Sequence, residues 1–321
     1  MAVKIVRQSN SIAMLGAPTS AAAITPGREN APQALRSAGL LDQLQAIGYT
    51  VKDFGDDPPQ ISQPDEQNPR SKNTASVLKA LEALKPRVEL AVKTGALPLI
   101  LSGDSSVALA TVAGVRRYFR NIGMVYMDRD TGLRTPATTE TGSVDEMVVS
   151  HLTGRGASEL VRFWGEPPLV REPDLALFGT FRISAGEADA LQRSPVRNFS
   201  AADVQKKGAR AAAETAIERI HASTHEFVVH LDVDAIADFQ ATDAPGSGGL
   251  TLHDVRDALG HHGPLFLDVV REALALQELH HDVEDAVGRR PEVEDLDRVR
   301  VLELGDGADL ALEARLDLWI T

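Results

Sequence analysis

The sequence predicts a three-layer αβα fold, an α/β class built on a mainly parallel sheet. Short apolar runs alternate with longer amphipathic segments along the 321 residues, the pattern of strands covered by helices on both faces. Nearly every apolar run is followed at once by Gly, Asp or Ser. That arrangement sets polar side chains beyond the carboxyl ends of the strands, where open parallel sheets keep their ligand sites. No internal repeat or linker divides the chain, so one domain over residues 1–321 is expected.

The elements follow in order. Ser11–Gly16 (SIAMLG) reads as the first strand, stopped by Gly16, Ala17 and Pro18. Ala31–Ile47 reads as one helix, with Pro32 near its start, where a missing N–H costs nothing. Val51–Phe54 is a short strand, and Asp57–Asn73, rich in Pro, Asp, Gln and Asn, is a long surface loop. Thr74–Thr94 is helical, Leu97–Leu101 (LPLIL) a buried strand, Val107–Tyr118 helical and Ile122–Met127 (IGMVYM) the next strand. Asp174–Phe178, Phe227–Leu231 (FVVHL) and Val299–Leu304 complete the strands.

Composition narrows the function. The formal charge is −13, and residues 281–321 carry twelve acids against five arginines. Nucleic acids and anionic membranes attract cationic surfaces, so neither is an expected partner. No apolar run is long enough for a membrane span, and the first residues lack a secretory core and cleavage site. With no cysteine, disulfides and thiolate metal sites are excluded, and the cytoplasm is the expected compartment. All nine histidines lie at or after His151.

Two acidic pairs stand at strand ends: Asp128-Arg129-Asp130 after IGMVYM, and Asp232-Val233-Asp234 after FVVHL. An Asp-x-Asp pair leaving a strand can point both carboxylates at one ion, and either pair alone is equally well a turn or a helix cap. Four carboxylates in one crevice repel one another unless a cation, a proton or a guanidinium relieves them. An all-oxygen set suits a hard ion such as Mg²⁺, Ca²⁺ or Mn²⁺. Arg129 and Arg134 lie close enough in sequence to act instead, and arginine neutralisation is the expected outcome.

The motifs together resemble the arginase (ureohydrolase) family. The resemblance runs collinearly from about residue 10 to 255 and diverges over 256–321. GAPTSAAAITPGRENAPQALRSAGL (16–40) resembles the family's N-terminal strand, Gly-rich turn and helix. LILSGDSSVALATVAG resembles its Gly-Gly-Asp-His-Ser motif, MDRDTGLRTPATTETGSVDE its Asp-Ala-His-x-Asp segment, and HLDVDAIAD with GGLT its Asp-Val-Asp motif. The resemblance implies two Mn²⁺ ions held by two histidines and four aspartates, which activate water against a guanidinium carbon. Carried over position by position, the first histidine becomes Ser105 and the last aspartate of the second motif becomes Gly132. Asp128, Asp232 and Asp234 are kept, and Asp130 stands for the second histidine. Asp145 falls at the proton-relay histidine. Arg134, Thr139, Thr141, Ser184 and Glu187 fall at substrate-binding positions, and Glu303 is the nearest match to the family's guanidinium-contacting glutamate.

These substitutions imply a remodelled protein. The expected cofactor is none, or one divalent cation held by Asp128, Asp130, Asp232 and Asp234, rather than a binuclear manganese cluster. The leading expectation is a ligand-binding or regulatory pseudoenzyme for a small molecule. A single-ion hydrolase of a C–N bond in a guanidino, amidino or amide substrate is the alternative, and a structural subunit of an oligomer is another. By resemblance a homo-oligomer, a trimer, is expected. His280, His281, Asp282 and Glu284 read as part of a solvated acidic helix.

Overall fold

A computed structural model of the chain describes residues 5, 8, 10–237, 248–259 and 302–305. Its centre is an eight-stranded sheet: β1 (Ser11–Ala17), β2 (Thr50–Asp56), β3 (Leu97–Ser102), β4 (Ile122–Met127), β5 (Leu175–Thr180), β6 (Arg197–Ser200), β7 (Glu226–Asp232) and β8 (Leu302–Gly305). The spatial order is β2-β1-β3-β8-β7-β4-β5-β6, and every pairing is parallel. The chain builds outward from β1 in both directions, then returns with β7 and β8 to fill the gap between β3 and β4. All carboxyl ends therefore lie on one edge, with β7 and β4 adjacent.

Strand alternation sorts the core into two layers. Met14, Leu99, Leu101, Met127, Phe178, Val229 and Leu231 face one buried cluster, and Leu15, Ile100, Met124, Tyr126, Leu177 and Val228 face the other. On the first side pack α1 (Ala31–Ser37), α2 (Leu40–Ala46), α8 (Ala201–Lys207), α9 (Ala209–His221) and α10 (Leu252–Leu259). On the second pack α3 (Thr74–Thr94), α4 (Val107–Val115), α5 (Val148–Leu152) and α6 (Ser158–Arg162); α7 (Ala185–Gln192) follows β5. The inner strands β3, β4 and β5 are buried throughout, as expected of a sheet covered on both faces.

The expected fold class is therefore observed, with local differences. The single helix expected over Ala31–Ile47 is two, because Gly39 adopts φ +90° between them, a left-handed conformation that ends a helix. The helix after β3 stops at Val115 rather than Tyr118. β6 (RNFS) carries no apolar run for the sequence pattern to show; it is a partly exposed edge strand. Among the described residues, no helix is long and apolar enough to cross a membrane. His280, His281, Asp282 and Glu284 lie outside the described residues.

Candidate metal centre

Three strands deliver the site, and each ends with the same local device. An aspartate at or just past the strand turns the chain by accepting the backbone N–H two residues on. Asp104 Oδ1 accepts from Ser106 N at 3.1 Å, Asp128 Oδ1 from Asp130 N at 2.7 Å, and Asp232 Oδ1 from Asp234 N at 2.9 Å. In the last two turns the second aspartate is thereby brought back beside the first.

Asp104 is used structurally. Its other oxygen accepts from Thr19 Oγ1 at 2.9 Å and Ala22 N at 3.1 Å, latching the loop after β1 onto the end of β3. Gly103 permits this close approach: a Cβ there would meet the Arg28 carbonyl oxygen at 2.0 Å.

Asp128, Asp130 and Asp234 each place one carboxylate oxygen within 4.8 Å of the others, and Asp128, His230 and Asp232 do the same with one ligand atom each. Asp128 belongs to both groups. The four aspartates open into a cleft of about 550 Å³, whose walls include Arg134, Asp145, Arg182, Ser184 and Glu187.

The electrostatics are those of buried carboxyl groups crowded together and only partly offset by Arg182 and His230. Burial raises Asp128 well above the usual carboxylate range, and the charges of Asp234, Asp232 and Asp130 raise it further. Burial and then Asp234 and Glu187 push Asp130 up to about 7, against the opposing pull of Arg182. Burial, Asp234 and Asp145 push Asp232 up to about 8, with His230 opposing.

The arginines do not sit as expected. Arg134 Nη1 donates to Glu146 Oε2 at 3.1 Å, and its Nε lies 3.9 Å from Glu187 Oε2; Arg129 turns Nε to the backbone carbonyl of Asp234 at 2.8 Å. Arg182, which sequence reasoning passed over, acts on Asp130 instead.

The other expected residues divide. Asp145 lines the cleft and accepts from Ser105 N at 2.8 Å. Glu187 and Ser184 form the reciprocal cap of α7, and Glu187 also accepts from Thr131 Oγ1 at 2.6 Å. Thr139 is buried and holds a turn by accepting from Gly142 N at 2.9 Å. Thr141 donates to Glu146 at 2.8 Å and lines an adjoining groove of about 630 Å³. Glu303 lies level with Ile100 and His230 in the register of β8, and its side chain lies outside what the structure describes.

The sequence profile of the Arginase family matches residues 10–271. The chain belongs to the arginase family. It is 27% identical over 253 residues to the arginase of Brevibacillus brevis, covering 79% of this chain and 84% of that one. It is 31% identical over 250 residues to arginase-1 of Bos taurus, covering 76% and 78%. The crystal structure of arginase from Bacillus subtilis superposes with a TM-score of 0.74 at 21% identity, covering 96% of this chain and all of that one.

Within this arginase-family fold, the two positions expected to have lost ligands differ in what occupies the space. Ser105 is buried, donates to Asp232 Oδ2 at 3.0 Å and lies 3.2 Å from His230 Nε2. Gly132 has φ +61°, and a Cβ there would meet Val149 N and Cγ2 at 3.0 Å. An aspartate at Gly132 would therefore sit in a strained left-handed backbone and need Val149 to give way by a few tenths of an ångström. Gly132→Asp is expected to lower stability by about 1–3 kcal/mol through backbone strain and overpacking, without adding a bound ion. An unchanged melting temperature together with an extra equivalent of bound Mn²⁺ would show the expectation to be wrong.

Proposed function

We propose that this arginase-family chain is a metal-dependent hydrolase of a C–N bond in a small guanidino, amidino or amide substrate. It works around a hard divalent ion, Mg²⁺, Ca²⁺ or Mn²⁺, and lacks ordinary binuclear-manganese arginase activity. The supporting observation is the convergence of Asp128, Asp130, Asp232 and Asp234 at one cleft while Arg134 is committed to Glu146 and Glu187. Two unit charges 4 Å apart repel by about 4 kcal/mol at an effective dielectric of about 20. A hard cation relieves that repulsion with oxygen ligands alone.

Asp128, Asp130 and Asp234 would hold the ion, which when bound polarises the scissile group and lowers the pKa of water. The rest is the work of the chain's own residues. Asp145, on the cleft wall and held by Ser105 N, is placed to take or return a proton. Arg134, Ser184 and Glu187 form one polar wall for orienting the substrate, and Phe181 and Ile183 line the apolar part of the mouth.

The specific observation favouring the pseudoenzyme reading is the loss of ligands at Ser105 and Gly132, both now absorbed into packing and hydrogen bonds. The two readings separate on metal content and turnover. Elemental analysis is expected to find a hard divalent ion in the purified protein. Urea release from arginine with Mn²⁺ is expected well below about one turnover per second, the low end of ordinary enzyme rates. No bound ion after incubation with all three metals favours the pseudoenzyme, and ordinary arginase turnover overturns both.

A further inference from the structure

We infer that His230 is a relocated metal ligand: with Asp128 and Asp232 it forms a second ion position, taking over from another strand the role of the histidine lost at position 105. The inference rests on the reading above that the aspartates hold a cation.

The placement follows from strand geometry. His230 lies two residues before Asp232 on β7, and alternate residues share a face. In the β4–β7 register it pairs with Tyr126, so the next same-face step reaches Asp128 and Asp232. Tyr126 and His230 stack with ring centroids 4.4 Å apart and planes 11° apart. The imidazole is fully buried, so its plane is set by the ring stacked beside it while one ring nitrogen lies near the carboxylates.

The distances suit an ion. One ring nitrogen and one oxygen each from Asp128 and Asp232 lie within 4.8 Å of one another. Donors bound to a common ion at about 2.0–2.2 Å are at most about 4.4 Å apart, so shifts of a few tenths of an ångström suffice. His230 Nε2 is 3.2 Å from Ser105 Oγ, where a longer side chain at 105 would collide with the ring. The small serine and the imported imidazole therefore belong together as one exchange. The donor set differs from its neighbour in kind. One nitrogen with two carboxylates suits Mn²⁺, Co²⁺ or Zn²⁺, whereas Asp128, Asp130 and Asp234 suit a purely hard ion.

Pulsed EPR of the Mn²⁺-loaded full chain reads the nitrogen directly. The expected result is two equivalents of Mn²⁺ with a ¹⁴N coupling that becomes a ¹⁵N coupling when the protein is grown with [¹⁵N]histidine. His230→Gln is expected to lose the coupling and weaken one equivalent at least tenfold by calorimetry. His253→Gln, on an exposed helix face, is expected to change neither. The double exchange Ser105→His with His230→Ser conserves volume and is expected to return the coupling. Mn²⁺ bound without nitrogen coupling in the labelled wild type overturns this inference and leaves the single-ion hydrolase standing. Coupling that survives His230→Gln overturns it as well. Failure to bind any divalent ion overturns both, and because isotope labelling changes no residue, a variant that does not fold still leaves the wild-type result to decide.

Discussion

The metal-free protein is expected to lose stability as pH rises from about 5 to about 8, and millimolar Mn²⁺ or Mg²⁺ is expected to restore it. Asp130 and Asp232 titrate in the folded chain at about 7 and about 8, raised from 3.8 first by burial and then by neighbouring acids. Asp128 is raised further by the same causes. In the unfolded chain these carboxyls ionise near 4. Between the two ranges the folded state holds more protons than the unfolded, so stability falls with rising pH. It is fully present below the unfolded pKa and lost as pH passes through the folded values. Because these carboxyls interact, the loss belongs to the group as a whole rather than to one residue. Denaturant unfolding with EDTA at several pH values measures this. A flat or rising profile over that window would refute the crowding of buried carboxyl groups.

Asp128→Asn is expected to produce the second large effect, in opposite directions for stability and for metal. Asp128 is the one residue in both three-ligand groups and is deeply buried among like charges. The amide keeps the acceptor that Asp130 N uses and removes the charge. Unfolding free energy of the metal-free variant at pH 8 is expected to rise by about 2–4 kcal/mol, the scale of relieving an uncompensated buried charge. Affinity for divalent ions is expected to fall by at least about 100-fold, more than changing a residue that only hydrogen-bonds to a ligand typically does. A destabilised variant, or one that still binds Mn²⁺ as the wild type does, would contradict the assignment of Asp128 as the shared ligand.

What the sequence makes legible depends on how each feature is encoded. β4 is bounded correctly because IGMVYM is a buried apolar run closed by charged residues, and α3 because Gly95 ends it in a left-handed turn. β6 is missed because an exposed edge strand needs no apolar run. The four aspartates are found because they sit at strand ends, where parallel topology gathers polar groups. His230, the ligand inferred above, is not reached by carrying ligands over position by position, which can keep or lose a ligand but never move it to another strand. The signal was present: a histidine two residues ahead of an aspartate on a buried strand shares its face. The roles expected for Arg129 and Arg134 fail for another reason. Closeness in sequence does not decide which carboxylate a long side chain reaches, and Glu146 and Glu187 intercept Arg134.

That interception bears on what the cleft can select. A guanidinium already shared between two glutamates offers an incoming anion a competition rather than a vacancy. A ligand carboxylate must displace Glu146 from Arg134 and leave that glutamate to Thr139 and Thr141, whose hydroxyls already approach it. The gain is then the difference between two similar ion pairs, so charge alone confers little discrimination. Ligands that bring their own cationic end to Glu146 while passing a carboxylate to Arg134 satisfy both partners at once. A ligand answering both Arg134 and Glu146 would therefore need opposite charges at its two ends.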